Sequence, residues 1–179
     1  MKSCTYIVRS IVCCFCLAGA LGTIALATTS QDALPEKSIR KDLPNFALTD
    51  STGNRVSLSK YKGRVILLDF WATWCDVCKT TIPEYSEIQT QFGRNGLSVI
   101  GAALDDDGWK SVTPFAMRMK IPYTILLGNW NEIQHDFELK GLPVSLLIDR
   151  SGKIADTHLG REDKQILENK IKNLLTEQP

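Results

Sequence analysis

The sequence VILLDFWATWCDVCK occupies residues 65–79 and changes character in its middle. Its first half is an almost unbroken apolar run, which is typical of a central strand buried on both faces. Its second half carries Cys75 and Cys78 where helical periodicity begins. A thiol at the start of a helix lies among unpaired N–H groups, which favour the thiolate over the thiol. The stretch therefore predicts a redox-active dithiol between a strand and a helix.

The composition of the whole chain fits one compact α/β domain. The chain has 179 residues, of which 44% are hydrophobic, and a formal net charge of +1. This length suits a single hydrophobic core. A charge so close to neutral predicts no nucleic-acid partner.

The first 27 residues have the pattern of a secretory signal peptide. Lys2 and Arg9 precede an uncharged, largely apolar segment that ends in small residues at Ala25-Leu26-Ala27. An uncleaved membrane anchor is the alternative, because residues 10–29 carry no charge. We expect a periplasmic or otherwise exported protein, membrane-anchored if this segment is kept. Four of the six cysteines lie here (Cys4, Cys13, Cys14 and Cys16), so Cys75 and Cys78 remain in the mature chain, in a compartment where disulfides persist.

The mature chain divides into a tether and a folded domain. Residues 28–41 lack periodicity and predict a mobile tether, and residues 42–179 predict the domain. Two short strands around the turn cluster at 50–54 predict an N-terminal β-hairpin. Strands and helices then alternate, which predicts a sheet covered by helices on both faces.

Two cysteines three positions apart have three interpretations. A structural disulfide would close only a small loop and would constrain the unfolded chain little. A zinc site would need further ligands, and His135 and His158 do not have the usual ligand spacing. A cycling dithiol is favoured by the position at the start of a helix. In this interpretation Cys75 is the exposed nucleophile, Cys78 is the buried resolving thiol, and no further cofactor is expected.

Three other features lie near the dithiol. Asp69 interrupts the apolar strand, where burial would raise its pKa, and it could accept the proton of Cys78. The alternative is a buried acid satisfied by its neighbours. Pro143 precedes a buried strand, either as a simple strand start or as a cis proline that presents Leu142 to an extended substrate. Trp74 is expected to form a wall of the substrate groove. Asp105 to Asp107 could suggest a cation site, but three acids without further spaced ligands are usually a solvated cap.

These residues resemble a known family. Residues 65–79, with Trp74-Cys75-x-x-Cys78-Lys79 and Pro143, resemble the active-site region of thioredoxins. The surrounding chain is similar to the exported TlpA/ResA (redoxin) group. The shared patterns include Leu43-Pro44-x-Phe46-x-Leu48, Tyr61-Lys62-Gly63-Arg64-Val65, an extra segment between Leu104 and Leu139, and Leu147-Ile148-Asp149-Arg150-x-Gly152.

The resemblance implies an α/β thioredoxin-like fold with a central mixed sheet, an N-terminal hairpin and a central insertion. It also implies thiol–disulfide exchange with exported proteins, among them apocytochrome c or copper-site proteins, supplied with electrons by a membrane-embedded donor. We expect a monomer. The dipeptide Asp76-Val77 lacks the proline common in the family, and Thr81 replaces a glutamate of several members. The charge of Asp76 beside Cys75 predicts a reductase, and both dipeptide residues are expected to tune the couple.

Two other functions remain open from the sequence. A peroxidase of the peroxiredoxin type shares the backbone pattern, although Leu68 and Ala72 stand where that family has Pro and Thr. A Cu(I) metallochaperone could use Cys75 and Cys78 as soft ligands.

Overall fold

The structure is a computed structural model that describes residues 33–44, 46 and 48–178. Over these residues the centre is an eight-stranded mixed sheet. The strands are β1 Lys41–Asp42, β2 Leu48–Thr49, β3 Arg55–Val56, β4 Val65–Trp71, β5 Leu97–Ala103, β6 Thr124–Gly128, β7 Val144–Ile148 and β8 Lys153–Leu159. Their order is β1-β8-β7-β4-β5-β6-β2-β3, in which β4, β5 and β6 run parallel and the other neighbours antiparallel. The signal peptide predicted for residues 1–27 lies outside the described residues.

Helices cover both faces of the sheet, as the sequence predicts. They are α1 Asp76–Phe92, α2 Trp109–Met119, α3 Trp130–Phe137 and α4 Lys164–Thr176. Every residue of β4 is buried, because its alternate side chains enter different clusters. Val65 and Leu67 pack with α1 and α4, whereas Ile66, Leu68 and Phe70 pack with Ile133 of α3. The continuous apolar run of β4 thus reflects a strand covered on two sides.

The predicted N-terminal hairpin is present, with two residues in each strand. β2 pairs with β3, and β2 also extends the sheet beside β6. The Asp50 carboxylate closes the turn by accepting hydrogen bonds from the backbone of Thr52 and Asn54. Leu58 begins a 3₁₀ turn, Leu58–Tyr61, instead of continuing the strand. The segment between Leu104 and Leu139 supplies α2, β6 and α3.

The structure corrects the extent of the tether. Arg40 is buried, and its guanidinium pairs with Asp149 at 3.0 Å and with Glu177 at 2.6 Å. The next two residues form β1 against β8. The tether prediction is wrong for this part because two carboxylates distant in sequence hold the segment against the domain. Residues 28–32 lie outside the part of the chain that the structure describes.

The buried arginine gives a prediction about stability. Arg40→Ala is expected to lower the free energy of unfolding by about 3–5 kcal/mol, because it leaves the Asp149 carboxylate buried without its partner. Urea unfolding at neutral pH measures this difference. Lys41→Ala is the matched control, since Lys41 is exposed. Equal losses in the two variants would contradict the prediction.

Candidate active site

The two cysteines lie where β4 passes into α1. Cys75 is the N-cap residue of α1, and its sulfur accepts a hydrogen bond from the backbone N–H of Cys78 at 3.1 Å. The two side chains form a disulfide, with their Cα atoms 5.3 Å apart. A backbone N–H directed at sulfur favours the thiolate of Cys75 once the disulfide is reduced. The geometry therefore suits Cys75 as the attacking sulfur.

The exposure of the cysteines differs from the prediction in one respect. Cys75 is only 6% exposed in this oxidised form, and Cys78 is completely buried. Both belong to one apolar cluster with Trp71, Ala72 and Ile82. Cys75 is less exposed than predicted because its bond to Cys78 holds its sulfur against this cluster. The ranking of the two cysteines is as predicted.

Apolar side chains surround the disulfide at the surface. Trp74 is 64% exposed and Val77 is 46% exposed, whereas Trp71 is core. Leu142 packs against the cluster that contains both cysteines, and the Leu142–Pro143 peptide is cis. An exposed apolar rim beside the disulfide could contact another polypeptide. The binding roles of Trp74, Leu142 and Pro143 remain predictions.

The charge of Asp76 is paired. Asp76 is fully solvent-accessible at the first turn of α1, and Lys79 donates a hydrogen bond to its carboxylate at 2.6 Å. This hydrogen bond, together with the charge of the ammonium, lowers the pKa of Asp76. Asp76 is therefore ionised at neutral pH, but Lys79 offsets part of its effect on Cys75. The pairing of Asp76 with Lys79 was not predicted.

Asp69 is completely buried in β4. Neither of its carboxylate oxygens has a hydrogen-bond partner among the described residues. Desolvation raises the pKa of Asp69 to about 8. Its side chain projects from the same face of the strand as Trp71, two positions later, and Trp71 shares a cluster with Cys78. Burial thus brings the titration of Asp69 close to neutral pH, and its role as proton acceptor for Cys78 remains a prediction.

The interpretation of Asp105 as part of a solvated cap is wrong. Asp105 follows β5 and is only 7% exposed, so it does not belong to a solvated cap. Its carboxylate accepts hydrogen bonds from the backbone N–H of Thr73 at 3.1 Å and from the Thr73 hydroxyl at 2.5 Å. The backbone N–H of Leu104 also donates to the carbonyl of Trp71 at 2.9 Å. Asp105 therefore fixes the loop that carries Trp74 and Cys75.

Removing this carboxylate is expected to loosen the loop. Asp105→Ala leaves the Thr73 N–H without its acceptor and should lower the free energy of unfolding by about 1–3 kcal/mol. It should also increase hydrogen exchange at Thr73 and Trp74, which mass spectrometry detects. Asp106→Ala is the control, because Asp106 is the exposed neighbour. Unchanged exchange in Asp105→Ala would refute the role of Asp105.

Over the described residues, no group of three or more His, Cys, Asp or Glu side chains is arranged to hold a metal ion. Among the helices of the same residues, none has the length and apolar character needed to cross a bilayer.

Comparisons with known proteins agree with this geometry. Residues 39–157 match the AhpC/TSA family. The chain is 31% identical over 160 residues to the thiol-disulfide oxidoreductase ResA of Bacillus cereus (strain ATCC 10987 / NRS 248), covering 88% of this chain and 90% of that protein. It is 30% identical over 130 residues to the thioredoxin-like protein YneN of Bacillus subtilis (strain 168), covering 72% and 75%.

A solved structure shows the same fold. The crystal structure of a Chlorobium tepidum protein assigned as thiol:disulfide interchange protein DsbE aligns with a TM-score of 0.70 and 33% identity, covering 76% of this chain and 96% of that one. The fold, the Cys75–Cys78 pair and these similarities agree with each other. The chain therefore belongs to the AhpC/TSA family, and it is a thioredoxin-like thiol–disulfide oxidoreductase.

Proposed function

We propose that this protein is an exported reductase of protein disulfides. The reducing direction is supported by the ionised carboxylate of Asp76 beside Cys75, which disfavours the thiolate and hence a strongly oxidising couple. The exchange mechanism is supported by the unequal setting of the two sulfurs. Cys75 receives a helix N–H and retains some exposure, whereas Cys78 is completely buried. A partner disulfide can therefore meet Cys75 first, and Cys78 can act only on the bond that Cys75 has formed.

The reaction has two exchange steps. The Cys75 thiolate attacks a partner disulfide, which forms a mixed disulfide and releases one partner sulfur. Cys78 transfers its proton to Asp69, attacks the Cys75 sulfur and releases the second partner sulfur. Two electrons pass from the dithiol to the partner, and the Cys75–Cys78 disulfide is re-formed. No cofactor other than this disulfide is required.

The wider setting follows from the N-terminal sequence and from the relatives. An apolar leader at residues 1–27 supports export, with anchoring if it is not cleaved. The relative ResA is named a thiol-disulfide oxidoreductase. We propose that the partners are exported proteins, such as apocytochrome c or proteins with copper-site cysteines. A membrane-embedded donor would return the disulfide to the dithiol, and the protein would act as a monomer.

Redox titration against glutathione tests the direction of the reaction. We expect a reduction potential more negative than about −120 mV, the value of a strongly oxidising couple. Asp76→Asn should shift the potential to more positive values and Lys79→Gln to more negative values, each by on the order of 10–30 mV, because the charge beside the Cys75 thiolate changes with opposite sign. A potential at or above that of the oxidising couple would reject the reductase, and rapid peroxide turnover would favour a peroxidase.

A further inference from the structure

A row of polar side chains crosses the sheet beside the dithiol. The register of β4, β7 and β8 places Asp69 opposite Ser145 and Ser145 opposite His158. Residues opposite each other in antiparallel strands project from the same face of a sheet. The row therefore begins at a completely buried carboxyl group and ends at an imidazole whose side chain is 34% exposed.

Tyr85 of α1 lies over the middle of this row. Its hydroxyl is buried beside Ser145, but it completes no hydrogen bond of ordinary geometry with any described residue. Burial, and then the negative charge of Asp69, raises the pKa of Tyr85 well above its ordinary value, so the hydroxyl stays neutral. A neutral hydroxyl can donate one hydrogen bond and accept another, and it can therefore pass on a proton by rotating.

The outer end of the row is surrounded by charged groups. The Nδ1 atom of His158 lies 3.9 Å from the carboxylate of Glu162. Glu162 in turn accepts a hydrogen bond from Lys170 at 2.5 Å, and Lys170 also binds Asp156 at 2.7 Å. The His158 imidazole therefore lies beside a carboxylate and is the end of the row that reaches water.

The catalytic cycle requires Asp69 to release one proton to solvent. With its pKa raised to about 8, Asp69 carries a proton in most molecules at neutral pH. That proton must leave before Asp69 can accept another from Cys78, yet Asp69 has no contact with solvent. We propose that Tyr85, Ser145 and His158 form the route by which the proton held by Asp69 reaches solvent. This inference rests on the role of Asp69 in the proposed function.

The protons and electrons of the resolving step balance along this route. Neither the Asp69 carboxyl nor the Tyr85 hydroxyl has a hydrogen-bond partner among the described residues, so the first transfer requires these side chains to rotate into contact. The proton of the Asp69 carboxyl then passes through the hydroxyls of Tyr85 and Ser145 to His158 and on to water. The ionised Asp69 then takes the proton of the Cys78 thiol. The Cys78 thiolate bonds to the Cys75 sulfur, and the electron pair of the broken bond leaves with the partner sulfur. Tyr85, Ser145 and His158 touch no reacting sulfur in this step and act as positioning residues.

A second tyrosine provides a matched control. Tyr123 is also buried in the field of Asp69, and its hydroxyl has no hydrogen-bond partner in the described part of the chain. Its ring covers Gly101 of β5, on the side of β4 opposite β7. Tyr123→Phe therefore removes a buried hydroxyl near Asp69 but leaves the row of Asp69, Ser145 and His158 intact. The titratable and charged groups that face the row are Tyr85, Tyr123, Glu84, Asp156, Glu162 and Lys170.

Stopped-flow reaction of the reduced protein with one equivalent of dithiobis-nitrobenzoate tests the route. The first nitrothiobenzoate released reports attack by Cys75, and the second reports resolution by Cys78. In Tyr85→Phe and Ser145→Ala, the second release should slow by on the order of tenfold near about pH 7, a part of the about 10²–10⁴-fold that general base catalysis contributes. The first release should be unchanged. Above about pH 9 the variants should match the wild type, because Asp69 is then already ionised.

Further variants distinguish a failure of the proton route from a failure of the role of Asp69. Tyr123→Phe should resolve like the wild type, and added imidazole should restore the rate of His158→Gln. Equal second-phase rates in Tyr85→Phe and Tyr123→Phe would overturn the route. If Asp69→Asn slows the second release and Tyr85→Phe does not, the route is wrong and the role of Asp69 stands. If Asp69→Asn has no effect, the role of Asp69 fails, and the route fails with it.

Discussion

Replacing Cys78 by serine is expected to stop the reaction at the mixed disulfide. The Cys75 thiolate can still attack a partner, but a serine hydroxyl at the resolving position does not ionise at neutral pH and cannot displace the partner sulfur. Turnover of a protein disulfide such as insulin should fall by at least about 10³-fold, the scale on which loss of a reacting side chain acts in other enzymes. Exported partners should accumulate as covalent complexes, which non-reducing electrophoresis and mass spectrometry identify.

Cys75→Ser is the control for this experiment. It removes the sulfur that forms the first bond, while the buried Cys78 remains. It should lose turnover to a similar degree, but it should capture no partner. If Cys75→Ser captured the same proteins as Cys78→Ser, the assignment of Cys75 as nucleophile would be wrong. Proteins captured only by Cys78→Ser would identify the pathway, including any apocytochrome c or copper-site protein.

Replacing Asp69 by asparagine is expected to slow resolution and to stabilise the oxidised protein. Burial raises the pKa of Asp69 from 3.8 to about 8 in the folded state, so the folded protein binds this proton more tightly than the unfolded chain does. The wild type therefore loses stability as the pH rises from the unfolded to the folded pKa, by about 1.4 kcal/mol per pH unit. At pH 7 the penalty is on the order of 4 kcal/mol, and Asp69→Asn should remove most of it.

Urea unfolding of the oxidised proteins at several pH values checks this sign. The advantage of Asp69→Asn should be small near about pH 4, should increase up to about pH 8, and should then stay constant. Asp106→Asn, which changes an exposed acid, should give no such curve. An advantage independent of pH would mean that Asp69 titrates in the folded protein as it does in the unfolded chain, so that burial does not raise its pKa. An advantage that continued to increase well above about pH 8 would mean that Asp69 stays protonated in the folded protein, and it could not then act as the base for Cys78.

The parts of the fold that were predicted well depend on short-range patterns. An unbroken apolar run predicts β4, and the helical periodicity that begins at the cysteines predicts α1. Where the prediction was wrong, a distant partner overrode the local pattern. Residues 34–41 are polar and aperiodic, as in a tether, but the pairing of Arg40 with Asp149 and Glu177 holds them in place.

In the active site, too, the features that depend on neighbouring residues were predicted, and those that depend on distant residues were not. Cys75 and Cys78 can be recognised from sequence because strand, thiols and helix are continuous in the chain. Asp105 could not be recognised, since its role depends on β4 and β5 being parallel neighbours whose ends meet. The sequence holds one local indication of this role, which is that Asp105 is the first acid after a buried strand. Asp106 and Asp107, which follow it, are exposed as predicted.

The sequence alone determines that a buried strand leads to two cysteines at the start of a helix. Each of these features depends on residues only a few positions away. Only the tertiary structure determines which distant residues surround the two cysteines. Thr73 and Asp105 are 32 positions apart, and Arg40 and Glu177 are 137 apart. Asp69 meets Ser145 only through the register of β4 and β7. Strand order and register arise from packing of the whole domain, and local patterns do not specify them.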